Sequence, residues 1–242
     1  MYLSYNSDMG KERHENQDKI CAGFITENAA LAVVCDGMGG AASGSVASEL
    51  AATEIYRRVT EGFNENMKPS SIENLLKTAV SAANTIVYNK SREDIEKNGM
   101  GTTCVAALVV GKRAHIINIG DSRAYLMNDQ GVTQVTEDHT YVQVLYKHGE
   151  ITYEEMLNHR MKHIITRAIG VDSTVEPDYF ELEESGNFAV FLCTDGLYNY
   201  CHPQVIYESM FNKNLDKGVS DLIDYSNACG GKDNISAAVI AN

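Results

Sequence analysis

The spacing of apolar and polar positions changes period several times along the chain, and each change marks an element. Residues 2–6, 19–25 and 30–35 are apolar or alternating runs bounded by polar residues, the pattern of β-strands. The spacing then lengthens to that of helices. Leu50, Ala51 and Ile55 share one face of a segment from about 45 to 59. A second helical run follows Pro69-Ser70-Ser71, which reads as a capping signal, and carries Ile72, Leu75, Leu76, Ala79, Ala83, Ile86 and Val87. Strands return at 102–110, 114–119 and 123–127, with Gly111-Lys112-Arg113 and Asn128-Asp129-Gln130-Gly131 as hairpin turns. A polar stretch from about 138 to 167 is helical and irregular. Strands at 179–182 and 188–193 follow, then two helices, the first entered through Pro203, and a closing strand at 235–240.

Hairpins are frequent, and the helices come in consecutive pairs instead of alternating with strands. That order argues against a doubly wound parallel sheet. It predicts an α+β fold with two antiparallel β-sheets face to face and helix pairs on the outside. No linker, low-complexity tract or solenoid-length repeat divides the chain, so residues 1–242 are expected to form a single domain.

Composition narrows the setting. With 242 residues, 44% of them hydrophobic, the chain can build a core without disulfides or a structural metal. No apolar run approaches a membrane span, and the N-terminal segment lacks the basic-then-apolar layout of a signal peptide. A cytoplasmic protein with no membrane partner is expected, and nothing in the chain demands more than a monomer. Cys21, Cys35, Cys104 and Cys193 lie in apolar runs, Cys201 and Cys229 stand alone, and no C-x-x-C pair marks zinc or redox chemistry. All read as reduced thiols. The formal charge of −13 disfavours nucleic acid and favours a cation as partner, although acidity also serves solubility.

Three aspartates sit where a charge is costly. Asp36 ends the run LAVVC and precedes Gly37; Asp195 ends FAVFLCT and precedes Gly196; Asp233 stands just before ISAAVIA. Each is at the lip of a buried strand, where desolvation must be compensated. Any one alone reads as a turn residue, since Asp-Gly is a common turn dipeptide. Together, with no matching Lys or Arg beside them, they fit hard cations such as Mg²⁺ or Mn²⁺ better than zinc. Gly37 and Gly196 allow a backbone carbonyl to come close to an ion. In the segment Arg13-His14-Glu15-Asn16-Gln17-Asp18, Arg13 offers a planar fork for a phosphate, and Asp18 opens a strand and could orient a water.

Taken together, R-x-x-x-Q-D at 13–18, D-G-M-G-G at 36–40, G-D-S-R-A-Y at 120–125, T-D-G-L at 194–197 and K-D-N-I-S at 232–236 resemble the metal-dependent protein phosphatase family (PPM, type 2C), in its compact bacterial form. The resemblance runs over essentially the whole chain, in the family's order. It implies a central sandwich of two antiparallel sheets flanked by helix pairs, four layers in all, with a flap at about 138–167. It implies hydrolysis of phosphoserine and phosphothreonine in proteins, in opposition to a Ser/Thr kinase, with two core Mn²⁺ or Mg²⁺ ions and a third, weaker one. On the same ground Asp36 looks like the bridging ligand, with the Gly37 carbonyl beside it, and Asp195 and Asp233 complete the first ion's site. Asp121, with Asp195, matches the third site. Asp18 resembles the carboxylate near the attacking water and Arg13 the binder of the substrate phosphate. Two positions depart from many eukaryotic members: Met38 replaces a proposed acid, His, and Gln17 stands where a second-ion Glu is found.

Two such ions roughly 3.5–4 Å apart can share and acidify a water and clamp the phosphoryl oxygens, which predicts direct in-line attack by the bridging hydroxide without a phosphoenzyme. No Cys is followed six positions later by Arg, so a C-x₅-R cysteine-phosphatase loop is absent. Gly37-Met38-Gly39-Gly40-Ala41-Ala42 also fits a dinucleotide fingerprint, but Asp36 would aim its charge at the pyrophosphate and the next element is a second helix. The other alternative is a non-catalytic phosphoprotein-binding module of the same fold.

Overall fold

Alternation decides the layering. The computed structural model describes residues 1–39, 43–93, 99–210 and 213–242. Strand β3 (Ala29–Met38) turns Ala29, Leu31, Val33 and Cys35 to one side and Ala30, Ala32 and Val34 to the other, all fully buried. A strand apolar on both faces has to be covered on both. β3 lies between β2 (Asp18–Thr26) and β5 (Cys104–Val110); β6 (Arg113–Ile119) and β9 (Asp178–Glu183) complete that sheet, and the short β4 (Gly101–Thr102) pairs beyond the end of β5. The second sheet runs β1 (Tyr2–Asp8), β11 (Ile235–Ala241), β10 (Ala189–Cys193), β7 (Arg123–Asn128) and β8 (Gly131–Gln134). Every strand pairing described is antiparallel.

Three apolar layers result. Ala32, Val34, Val105 and Ile116 of one sheet meet Val190, Leu192, Ala238 and Ile240 of the other. Outside the first sheet, α1 (Ser43–Gly62) and α2 (Pro69–Arg92) bury Ile55, Leu76 and Val80 against Leu31, Leu108 and Ile117. α3 (Tyr141–Lys147) and α4 (Tyr153–Asn158) lie in the expected irregular segment, and α5 (Asp195–Tyr198) is one short turn. Outside the second sheet, α6 (Pro203–Met210) and α7 (Leu215–Ala228) bury Ile206, Leu222 and Ile223 against Tyr125, Phe191 and Val239. This is the expected α+β sandwich of four layers. Among the described residues, no helix is long and apolar enough to cross a membrane. The cysteines are all free.

Local details differ from the reading of the sequence. The N-cap of α2 is Lys68, with Pro69 inside the first turn and no side-chain cap, so Ser70 and Ser71 are helical residues. Proline's fixed φ and missing N–H suit that first position and displace the serines from the capping role. Ile86 is 37% exposed and does not join the buried face of α2. The strand expected at 102–110 breaks at Thr103, whose side chain is used elsewhere. β8 and α5 were not expected as separate elements.

Candidate active site

The strand ends that carry the misplaced carboxylates open on one cleft. It has a volume of about 680 Å³ and is lined by Arg13, Gln17, Asp36, Gly37, Asp121, Asp195 and Asp233, among others. Asp18 lies buried just behind it. A second cavity, of about 410 Å³, is lined largely by apolar side chains such as Leu3, Met127 and Phe188 and holds none of these groups. The polar cleft is therefore the candidate site. Gly40, Ala41 and Ala42, which end the D-G-M-G-G motif and the dinucleotide-like fragment, lie outside the described residues.

β3 carries Asp36 half-buried into the cleft floor and holds its backbone tightly. The Asp36 carbonyl accepts from Thr103 N at 2.9 Å and Thr102 Oγ1 at 2.8 Å, while Asp36 N donates to Thr103 Oγ1 at 3.0 Å. Gly37 is required by crowding: a Cβ there would lie 2.0 Å from the Gly44 carbonyl oxygen. Directly across the sheet from Asp36 stands Asp18, a pairing of like charges that is unfavourable on its own. Asp18 is buried; Thr194 Oγ1 donates to its Oδ2 at 2.9 Å, and its Oδ1 has no partner. Asp195 opens α5 immediately after Thr194. Asp233, in the loop before β11, accepts from Arg13 Nη2 at 2.8 Å. Asp121 is buried on the turn between β6 and β7, next to Ser122, whose hydroxyl hydrogen-bonds Thr103 Oγ1 at 2.7 Å.

The electrostatics follow from this gathering of acids. Burial, then Asp18 and Asp195, raises the Asp36 pKa well above the usual carboxylate range. Burial is also the first cause for Asp18, pushed up to about 7, for Asp121, pushed up to about 8 with Asp195 next, and for Asp195, pushed up to about 6 with Asp233 next. His163, reaching in from the 138–167 segment with Lys162, acts on Asp195 in the opposite sense. Without a cation the chain resists ionising its own site.

These residues suit a hard divalent ion. The donors are carboxylate oxygens with the Gly37 carbonyl nearby, one buried carboxylate oxygen is orphaned, and among the described lining residues the only His or Cys is His163, reaching in from the 138–167 segment. Among the described residues, no three His, Cys, Asp or Glu side chains are gathered into a group that could hold a metal ion by themselves. Mg²⁺-type sites keep several waters and need only one or two carboxylates each.

Several residues that matter here were not singled out from the sequence. Asn234 ties the N-terminal loop to the site: its Oδ1 accepts from Gln17 N at 2.8 Å and its Nδ2 donates to Met9 O and Glu15 O at 2.9 Å. Thr103 and Thr194 support Asp36 and Asp18 in the same way. Asn234 lies in K-D-N-I-S and Thr194 in T-D-G-L, so their motif positions were the available signal; Thr103 had none. Of the basic side chains in 138–167, Lys147 and Arg167 pair with Glu137 and Asp178, while Lys162 and His163 line the cleft.

Comparison with known proteins points to one family. Residues 11–238 match the model of the family described as protein phosphatase 2C. The serine/threonine phosphatase stp of Listeria monocytogenes is 34% identical over 244 residues, covering 99% of this chain and 95% of that protein. Among solved structures, the serine/threonine phosphatase Stp1 from Staphylococcus aureus superposes with a TM-score of 0.91 at 33% identity, covering 99% and 94% of the two chains. The catalytic domain of the serine/threonine protein phosphatase PstP, in complex with two manganese ions, has a TM-score of 0.85 at 33% identity and coverage of 100% and 97%.

Proposed function

Because the chain belongs to the protein phosphatase 2C family and is a serine/threonine phosphatase acting on phosphoproteins, we propose that its carboxylate cleft hydrolyses phosphoserine and phosphothreonine by direct attack of water on phosphorus. In this reading Asp36, the Gly37 carbonyl, Asp195 and Asp233 hold two core ions, Mn²⁺ or Mg²⁺, and Asp121 with Asp195 holds a third. The observation that carries it is the facing pair Asp18 and Asp36, carboxylates side by side with one buried oxygen unpartnered. When bound, the ions supply the charge that lets these acids ionise, lower the pKa of a coordinated water and neutralise phosphoryl oxygens.

The chain's own residues do the positioning. Asp18, with Oδ2 tied to Thr194, presents Oδ1 to accept a hydrogen bond from the attacking water. Arg13, half-exposed at the mouth, exchanges its contact with Asp233 for the substrate phosphate, a fork-to-oxyanion geometry that favours phosphate over a single carboxylate oxygen. The segment 138–167 acts as a flap, bringing Lys162 and His163 to the rim where residues flanking the phosphorylated side chain pass. The protein would oppose a Ser/Thr kinase in the cytoplasm, as a monomer of one domain.

A binding module that had lost catalysis would be expected to lack part of the acid set, and Asp36, Asp195 and Asp233 are all at the cleft. The deciding assay is phosphate release from a phosphothreonine peptide with Mn²⁺ or Mg²⁺, against the same sample in chelator. No release under any condition would sink the mechanism.

A further inference from the structure

The turn that carries Asp121 is held from behind by a residue with no assigned role. His139 is 8% exposed. Its backbone N–H donates to Gly120 O at 2.9 Å, and its ring Nδ1 accepts from Gly120 N–H at 3.0 Å. A backbone amide can only donate, so Nδ1 carries no proton and the ring proton is on Nε2. Nε2 faces Asp178 Oδ2 at 3.1 Å, and Arg167 Nη1 donates to the other oxygen, Oδ1, at 2.7 Å. Arg167 is also anchored on Glu176 O at 3.0 Å.

The chain of contacts thus joins three places. His139 is the second residue of the segment 138–167 and Arg167 its last; Thr166 N donates to His139 O at 2.8 Å and Thr140 bridges Ile165, so the two ends are stapled together. The third place is the Asp121 turn, which has little slack. Gly120 has a φ of +96° and approaches Thr103 so closely that a Cβ would lie 2.6 Å from its side chain. Thr103 in turn holds the Asp36 amide.

We propose that His139 is a positioning residue: held as its Nε2–H tautomer by the Gly120 N–H and steadied on the other side by the Arg167–Asp178 pair, it sets the Gly120 amide and with it the direction of Asp121. The base of the flap and the Asp121 carboxylate are then one mechanical unit. A histidine that merely fills space would have no preferred tautomer and would be replaced equally well by either amide isostere. The effect on turnover rests on the functional reading of Asp121; the positioning itself does not.

The two sides of the ring can be tested separately. His139→Asn keeps an acceptor near the place of Nδ1 but loses the reach to Asp178, whereas His139→Gln keeps that reach and loses the acceptor. Long-range ¹H–¹⁵N correlation on the whole protein should show Nδ1 unprotonated and Nε2 protonated. The Gly120 amide proton should stay downfield in His139→Asn and move upfield in His139→Gln. On a phosphothreonine peptide kcat should fall about tenfold or more in His139→Gln, the scale of a misplaced group, and KM should change little. His139→Asn should keep most of the rate. Asp178→Asn, at a partly exposed carboxylate, should leave Nδ1 unprotonated, since Gly120 N–H still donates to it, but loosen the hold on Nε2 and move the Gly120 amide proton even if the glutamine variant does not fold. A protonated Nδ1 in the wild type, a Gly120 amide shift unmoved by Asp178→Asn, or identical Gly120 shifts in both His139 variants would overturn the proposal. If Asp121→Ala keeps full turnover while the spectroscopic pattern holds, the reading of Asp121 falls and the positioning stands.

Discussion

Arg13 and Asp233, at opposite ends of the sequence, meet at 2.8 Å over the mouth of the cleft, with side chains 50% and 36% exposed. An exposed pair of this kind contributes little to stability. Its interest is that the proposed function gives each partner a better one: Asp233 an ion, Arg13 a phosphate.

Replacing Arg13 with Ala should therefore leave the melting temperature nearly unchanged and raise KM for phosphopeptides. Losing a charged donor to an anion costs about 1.5–3 kcal/mol, and the half-exposed setting favours the lower end, roughly a tenfold effect. Inhibition by free phosphate should weaken in parallel. An unchanged phosphate inhibition constant would show that Arg13 is only a surface charge.

Asp36→Asn should abolish turnover and yet keep, or slightly raise, the stability of the ion-free protein. The substitution removes one of two carboxylates that face each other across β2 and β3. Phosphate release at saturating Mn²⁺ and thermal melts in chelator measure the two effects. Near-wild-type activity would refute the ligand role proposed for Asp36.

The same crowding gives a pH dependence with a definite sign. Asp195, Asp18 and Asp121 have folded-state pKa values of about 6, 7 and 8, all above the ordinary 3.8. Between those limits the folded chain holds more protons than the unfolded one, so stability falls as pH rises. In chelator, the melting temperature should drop steadily from about pH 5 to pH 8, and saturating Mn²⁺ should flatten the slope. A melting temperature that rises over that interval would contradict the picture of unneutralised acids.

Met38 lines the cleft and has no proton to give a departing alkoxide. If Asp121 helps deliver that proton, Asp121→Ala should slow hydrolysis of phosphothreonine peptides far more than that of an aryl phosphate, whose leaving group needs little help. Comparing mutant-to-wild-type rate ratios on the two substrates, with both core ions saturating, decides it. Equal ratios would leave protonation to bulk water.

How much of this was legible in the sequence differed from residue to residue. β3 announced itself because Ala29 to Cys35 is apolar on both faces, and Asp36 stood out because a charge ends that run. Thr103 gave no such signal. It reads as one more β-branched residue in a strand, and only the fold brings its hydroxyl to Asp36 N and Ser122. His139 is illegible for the same reason, since its partners lie on a backbone or far away in sequence, whereas Asn234 has only its place in K-D-N-I-S to mark it. Ile86 failed in the opposite direction, since helical spacing records only that a residue is near the buried arc, not which side of its edge it takes.

The outermost strand pairing places Tyr2 opposite Ala241 and Asp8 opposite Ile235. Both termini of the fold thus emerge at one end of the second sheet, while Asp233 and the cleft lie at the other. At about 3.3 Å per residue, the length of β11 separates them by roughly 20 Å. A tether, anchor or further module grafted to either end would leave the mouth of the cleft unobstructed, and the two ends are close enough to be joined to each other. The catalytic face can be carried, reoriented or circularised as a cartridge without its approach being blocked.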